Sequence, residues 1–302
     1  MFTKNTKFRK MSGYVYVECK GVKIRLSNLE KKIWGKEGIT KAEIIKYYVD
    51  VGEYILRYLK DRPLTLIRCP DGINDCFFQK DLPEYAPSWI KTYSKDNIRY
   101  PVCNDLPTLI WLTNFGTVDY NPTLSRIHSY ETPDFCVFDL DPFKPSTFKE
   151  ALEVAVIIRD ILKELKMRGF PKTSGATGLQ IYVPIEGHTF REAKFFVRKI
   201  GELIERKHKK VTTYAGRATK RKGKVFIDFL QNDRGKTVVA PYSLRPLPNA
   251  PVSTPLTWKE IEEGDVEPEM FNINTILERL KEKGDLFDEI NKEKYRIPLK
   301  SK

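Results

Sequence analysis

The sequence predicts an α+β fold: a mixed or antiparallel sheet flanked by helices, within one domain. Two observations carry this. Short apolar runs of strand length alternate along the chain with amphipathic helical patterns. Carboxylates set inside such runs fall on two separate strands, around residues 135–142 and 225–230. The 302 residues leave room for one large domain or two modest ones, and no internal repeat or linker divides them. No window approaches the ~18 apolar residues of a membrane span, and no signal-peptide core stands near Met1, which predicts a cytoplasmic protein with no membrane partner.

Composition narrows the chemistry. The formal net charge is +13, from 53 Lys and Arg against 40 Asp and Glu, and so one-sided an excess favours a polyanionic partner, nucleic acid first. A thermophile's lysine-rich surface is the rival explanation, but it would bring Glu with it. Five scattered cysteines (Cys19, Cys69, Cys76, Cys103, Cys136) lack C-x-x-C spacing, so neither a zinc site nor a disulfide framework is expected. With only three histidines, far apart, multi-histidine chemistry is disfavoured.

In chain order, residues 1–12 read as a loose basic lead-in. Residues 14–17 and 22–26 alternate as a hairpin turning at Lys20-Gly21. Thr40 caps a helix running to about Leu59, which puts Lys41 in the first turn. Free N–H groups there already favour an anion, so a lysine is out of place unless a phosphate is the intended neighbour; a solvated lysine is the plain alternative. Residues 62–68 and 76–80 read as strands around a Pro70-Asp71-Gly72 turn. The adjacent Phe77 and Phe78 point to opposite faces, and the residues alone favour core packing for both over a base-stacking role. Asp105 and Pro107 open a short buried helix that Gly116 ends.

Residues 135–142 are the centre of the reading: a buried strand whose Asp139 and Asp141 point the same way. Two such carboxylates repel unless one stays protonated or a cation sits between them, and hard oxygen donors suit Mg²⁺ or Mn²⁺. A merely wet strand end is the alternative. Thr147 with Glu150 starts a helix to about Met167. Ser174-Gly175-x-x-Gly178 can present backbone N–H groups and a hydroxyl to a phosphate, although no Gly-Lys-Ser/Thr follows as in a Walker loop. Thr189 and Glu192 cap another helix. Nine Lys or Arg and no acid occupy residues 206–224, read as a loop rather than a helical face. That run leads into Val225-Phe226-Ile227-Asp228-Phe229-Leu230, where a charge is costly unless paired or metal-bound. Residues 274–302 read as a charged, peripheral tail.

Three stretches in this order and spacing, Phe138-Asp139-Leu140-Asp141-Pro142, Lys172-Thr173-Ser174-Gly175-x-x-Gly178 and Val225-Phe226-Ile227-Asp228, resemble the polymerase domain of bacterial ligase D and its stand-alone prokaryotic relatives, in the archaeo-eukaryotic primase superfamily. Arg62-Pro63-Leu64-Thr65, Phe77-Phe78-Gln79-Lys80 and residues 240–258 extend the likeness over nearly the whole chain. It implies a primase-like core and one primase-polymerase domain over 1–302. Within that, 1–105 would bind the 5′-phosphate and template, 106–260 would be the catalytic core, and 261–302 a peripheral helical tail. With no ligase or nuclease domain attached, it implies a free-standing form.

The resemblance also implies roles. Asp139, Asp141 and Asp228 match the carboxylates that hold two Mn²⁺ or Mg²⁺ ions. Lys172, Ser174, Gly175, Gly178, Arg221 and Arg245 match nucleotide-binding positions, the last two also facing the primer-template end. Asn28, Lys31 and Lys41 match a pocket for a downstream 5′-phosphate, and Phe77 and Phe78 an aromatic pair stacked on the template. Three positions depart from the family's pattern: Gln180, matched to the nucleotide site where relatives carry a phosphate-binding His; Asn121, matched to it where many carry a His near the nucleotide sugar; and Ile67, where Lys is frequent. Gln and Asn hydrogen-bond but carry no charge. The implied activity is gap-filling, ribonucleotide-preferring primer extension with NTP or dNTP at gapped or broken DNA in non-homologous end joining, with Ku and a separate ligase as partners.

Rivals remain. Phe-Asp-Leu-Asp also opens haloacid-dehalogenase phosphatases, but those want Thr or Val where Phe143 stands. A de novo primase is nearer, although the zinc-binding cysteines of replicative primases are missing. A non-catalytic DNA-end-binding module is the third reading.

Overall fold

The computed structural model describes residues 6–11 and 14–298. Strands β1 (Thr6–Met11), β2 (Tyr14–Cys19) and β3 (Val22–Leu26) form an antiparallel meander, so part of the expected loose lead-in is a strand paired to β2. The hairpin turns at Lys20 and Gly21, both at positive φ. The helix expected from Thr40 to Leu59 is two helices, α1 (Lys41–Asp50) and α2 (Gly52–Leu59), because Val51 leaves the helical region. A Cβ on Gly52 would fall 2.9 Å from Leu106 Cδ1, so the break lets α2 press against the next helix.

Strands β4 (Leu64–Arg68) and β5 (Phe77–Gln79) follow, then the hairpin β6 (Thr92–Lys95) and β7 (Ile98–Pro101). Helix α3 (Leu106–Asn114) begins where Asp105 accepts the Thr108 N–H at 2.8 Å. Next, β8 (Thr117–Pro122), buried throughout, pairs with β4 in a sheet of order β5-β4-β8. Contrary to expectation, Cys69 and Cys76 form a disulfide: the Pro70–Gly72 turn reverses the chain and brings their Cα atoms to 4.2 Å.

The second half is built on β9 (Phe135–Pro142), α4 (Phe148–Glu164), β10 (Phe170–Thr173), β11 (Leu179–Pro184), α5 (Phe190–Lys207), β12 (Val211–Thr212) and β13 (Val225–Ile227). Their sheet runs β10-β11-β9-β13-β12, antiparallel except for the β12–β13 pair. The basic stretch 206–224 is therefore not all loop: its start ends α5, and Val211-Thr212 forms the sheet edge. Helices α6 (Trp258–Glu263) and α7 (Ile276–Lys283) close the chain.

Strand β9 shows how the site is placed. Its side chains alternate faces. Cys136, Phe138 and Leu140 enter a core with α4, α5 and β13, whereas Phe135 and Val137 enter the core built by the first half. Asp139 and Asp141 continue that second series, so the sheet turns its acidic end toward the other core. The seam between the cores falls within β9, and α3 and β8 belong to the first core. Nor is the C-terminal segment peripheral. Phe287 and Ile290 are about as buried as any residue in the first core, and Asp285 accepts hydrogen bonds from Tyr58 and Tyr242, both 2.7 Å. Apolar residues spaced through a charged stretch hid that packing.

Candidate active site

Asp139 and Asp141 lie two residues apart on one face of β9. The register sets Phe226 opposite Asp141 and Ile227 opposite Leu140, and the Asp228 N–H then donates to the Asp139 carbonyl at 2.8 Å. Asp228 thus stands just past β13 beside Asp139 rather than inside a strand. It caps a single 3₁₀ turn, its Oδ1 accepting from the Leu230 N–H at 2.9 Å and its Oδ2 from Gln231 Nε2 at 3.1 Å.

Burial dominates the electrostatics. It pushes the Asp139 carboxyl up to about 8; the Asp141 charge adds to this, the Gln180 hydrogen bond opposes it, and Asp228 adds a little more. Asp141 is raised to about 6 by burial and the Asp228 charge, against Arg221 and Arg245. Among the described residues no three acidic, imidazole or thiol side chains are gathered as a ready-made ion cage. The donor set still fits a hard divalent cation: three carboxylates along one sheet end hold more negative charge than their surroundings neutralise, and a cation removes that imbalance.

The Ser174 turn packs directly on this strand. Ser174 Oγ accepts from the N–H groups of Ala176 (3.2 Å) and Gly178 (3.1 Å). A Cβ on Gly178 would lie 2.7 Å from the Leu140 carbonyl and 3.1 Å from Asp141 Oδ1, so only glycine lets the turn come this close. Gly175, at φ +70°, has Arg245 Cγ at 2.7 Å from its would-be Cβ. Arg245 runs beneath the turn, donating to the Ser174 carbonyl at 2.8 Å while its Nε sits 2.9 Å from Asp119 Oδ2.

Asp119 is a residue the sequence reading missed as functional. It is fully buried on β8, its carboxyl raised by burial against the charge of Arg245. It also accepts from Asn121 Nδ2 at 3.0 Å, so Arg245 and Asn121 share one buried anchor. Its sign in the sequence is the Asp-x-Asn alternation within the short strand Thr117–Pro122. Lys172, expected among nucleotide ligands, is fully buried on the same sheet face as Asp139 and donates to Gln180 Oε1 at 2.6 Å and Ser253 Oγ at 2.5 Å. Arg221 is partly exposed, its guanidinium 4.3 Å from the Phe226 ring and 4.9 Å from that of Phe143.

A second region lies apart. A cavity of about 690 Å³ is lined by Asn28, Lys31 and Lys41, together with Arg68, Asp71 and Trp111 among others, and by none of the three aspartates. Lys41, first residue of α1, is 8% exposed; burial, then the charges of Lys31 and Arg68, pull its ammonium down to about 8. Its Nζ donates to Ser27 Oγ at 3.3 Å, and Lys31 pairs with Asp71 at 2.5 Å. Phe77 and Phe78 are exposed, at 45% and 74%, instead of packed as the residues alone favoured. Their strand is the edge of its sheet, and the Phe77 ring meets the Arg68 guanidinium at 5.2 Å.

Comparison with known proteins decides the family. The family described as LigD, primase-polymerase domain, matches residues 40–287. The chain belongs to that family. Among LigD relatives, the bifunctional non-homologous end joining protein LigD of Bacillus subtilis is 32% identical over 280 residues, covering 92% of this chain and 46% of its own length. The multifunctional LigD of Mycolicibacterium smegmatis is 33% identical, covering 87% of this chain and 35% of its own. The chain therefore spans less than half the length of these LigD proteins. The solved polymerase domain of Mycobacterium tuberculosis ligase D in complex with DNA superposes with a TM-score of 0.83 at 28% identity, covering 89% of this chain and 98% of that one. The primase-like α+β fold and the nucleotidyltransferase class read from the LigD motifs stand with these matches. Among the described residues no helix is long and apolar enough to cross a membrane.

Proposed function

We propose that this chain extends primer 3′ ends across gaps and breaks in DNA by template-directed nucleotidyl transfer, as the polymerase part of end joining. The observation that carries the reading is the alignment of Asp139, Asp141 and Asp228 on one sheet end, bordered by the Ser174 turn, Arg221 and Arg245. Those aspartates would hold two Mg²⁺ or Mn²⁺ ions, which when bound lower the pKa of the attacking hydroxyl and neutralise the departing pyrophosphate. The protein's own part is positional. Ser174, Gly175 and Gly178 hold a turn tight against β9, and Arg245, anchored on Asp119, fixes that turn from below. Arg221, seated on Phe226 and Phe143, supplies positive potential beside Asp141.

The remote cavity supports a second contact. Asn28, Lys31 and Lys41 would take the 5′-phosphate of the downstream strand, and a buried ammonium already crowded by two cations gains from any anion that enters. Exposed Phe77 and Phe78 would stack on template bases. Ribonucleotide preference, Ku and a separate ligase as partners, a cytoplasmic setting and one catalytic domain over the chain belong to the same reading.

The test is primer extension on gapped duplexes with and without a downstream 5′-phosphate, supplying NTPs or dNTPs with Mg²⁺ or Mn²⁺. Extension that rises with the 5′-phosphate and is greater with NTPs is expected. No extension under any combination defeats the polymerase reading.

A further inference from the structure

A row of polar side chains crosses the sheet beneath the site. Lys172 on β10 stands opposite Gln180 on β11, Gln180 opposite Asp139 on β9, and Asp228 next to Asp139 beyond it. Gln180 Oε1 accepts from the Lys172 ammonium at 2.6 Å, and Gln180 Nε2 donates to Asp139 Oδ1 at 3.1 Å. Between an ammonium, which only donates, and an ionised carboxylate, which only accepts and which Asp139 becomes once a cation is bound, the amide fits one way round. Lys172 is itself held by Ser253 Oγ and has no exposed surface, while Gln180 is 4% exposed. A side chain engaged at both ends and this deeply buried is poorly placed to meet a triphosphate, the role that resemblance gives to a His at position 180.

We propose that Gln180 is a positioning residue: anchored on Lys172, it orients the Asp139 carboxylate for its cation and leaves the triphosphate to the Ser174 turn and Arg245. Asp139 faces two other carboxylates, and a free side chain would rotate away from them. Tethering Oδ1 from behind stops that rotation and leaves Oδ2 for the front of the site. Outer partners of this kind hold ligating side chains in place elsewhere, and losing one costs roughly 10–100-fold in metal affinity. The inference rests on the divalent-cation reading above.

The experiment measures Mn²⁺ binding to the full chain without nucleotide, from the electron paramagnetic resonance signal of free Mn²⁺, alongside the KM for UTP at saturating Mn²⁺. Asp139→Ala should abolish the binding that depends on this site. Gln180→Leu should raise the Mn²⁺ Kd by about 10-fold or more, with the UTP KM unchanged. Lys172→Met should do the same, and the double variant should be no worse than Gln180→Leu, since the two act through one link. Gln180→His, able to accept from Lys172 and donate to Asp139, should recover part of the loss. Where thermal unfolding shows that Gln180→Leu has lost its fold, Gln180→Ser, polar but too short to span the gap, is read by the same criteria. An unchanged Mn²⁺ Kd with a raised UTP KM overturns the proposal and makes Gln180 a phosphate ligand; additive losses in the double variant overturn the anchor on Lys172. If Asp139→Ala binds Mn²⁺ as the wild type does, the cation reading has failed, and this inference with it.

Discussion

The sheet end that carries the aspartates and the cavity that carries the lysines are electrostatic opposites. In the first, burial and neighbouring acids raise Asp139 to about 8; in the second, burial and neighbouring bases lower Lys41 to about 8. Each region holds a charge its surroundings do not balance, one negative and one positive. Arg62–Asp134, 2.6 Å apart, shows how the same fold balances buried charges: burial pushes the Asp134 carboxyl up, yet the Arg62 guanidinium holds it below its ordinary value. Imbalance of opposite sign in two places fits one region that receives cations and another that receives an anionic end.

The comparison can be broken most sharply at the acids. Asp139→Ala and Asp228→Ala should each lower primer extension by more than the roughly 100-fold that loss of an outer-shell partner costs, while binding to 5′-phosphorylated gapped DNA persists. Loss of that binding in the same variants would show that the two regions are not independent. Lys41→Met is the reciprocal variant. A charge-assisted hydrogen bond contributes roughly 1.5–3 kcal/mol, so affinity for 5′-phosphorylated DNA should fall by about 10-fold or more while 5′-hydroxyl DNA binds as before. Equal losses on both DNAs would remove the phosphate from the argument.

Acidity should move the regions in opposite directions. The Asp139–Asp141 pair keeps protons in the folded chain that the unfolded chain has released above its ordinary value of 3.8. The stability this gives is complete below that pH and is lost as pH rises through about 6 to 8. Mn²⁺ affinity should therefore climb over that window, and titrations at pH 6, 7 and 8 would check it. Lys41 has the opposite sense: its charge is costly in the folded chain, so from about 8 to its ordinary 10.5 stability rises with pH as the proton leaves. Preference for a 5′-phosphate should decline above pH 8. The smallest effect is expected at the template. Phe78→Ala should weaken binding to an overhanging template by about 1 kcal/mol and leave the melting temperature alone, because the ring is 74% exposed.

Much of this was legible in the sequence, for particular reasons. Asp139 and Asp141 could be placed because strand periodicity fixes their common face, and Thr40 caps α1 as its position before the apolar stripe suggests. What stayed hidden depends on partners distant in sequence. Nothing near Asp119 in the chain marks it until Arg245, 126 positions later, is folded onto it. Gln180 looks like a weakened histidine until Lys172 and Asp139 appear on either side. The Cys69–Cys76 pair and the exposure of Phe77 and Phe78 depend on how one turn folds and on which strand is left at a sheet edge. No local pattern states either.

The first core has one further consequence. Its members run from Val17 on β2 to Ile290 near the C-terminus. During synthesis neither core can be sealed until its last members emerge, Phe287 and Ile290 for the first and Ile297 for the one that holds α4, α5 and β13. The sheet end that carries the aspartates and the lysine-lined cavity therefore wait on one and the same late stretch of chain.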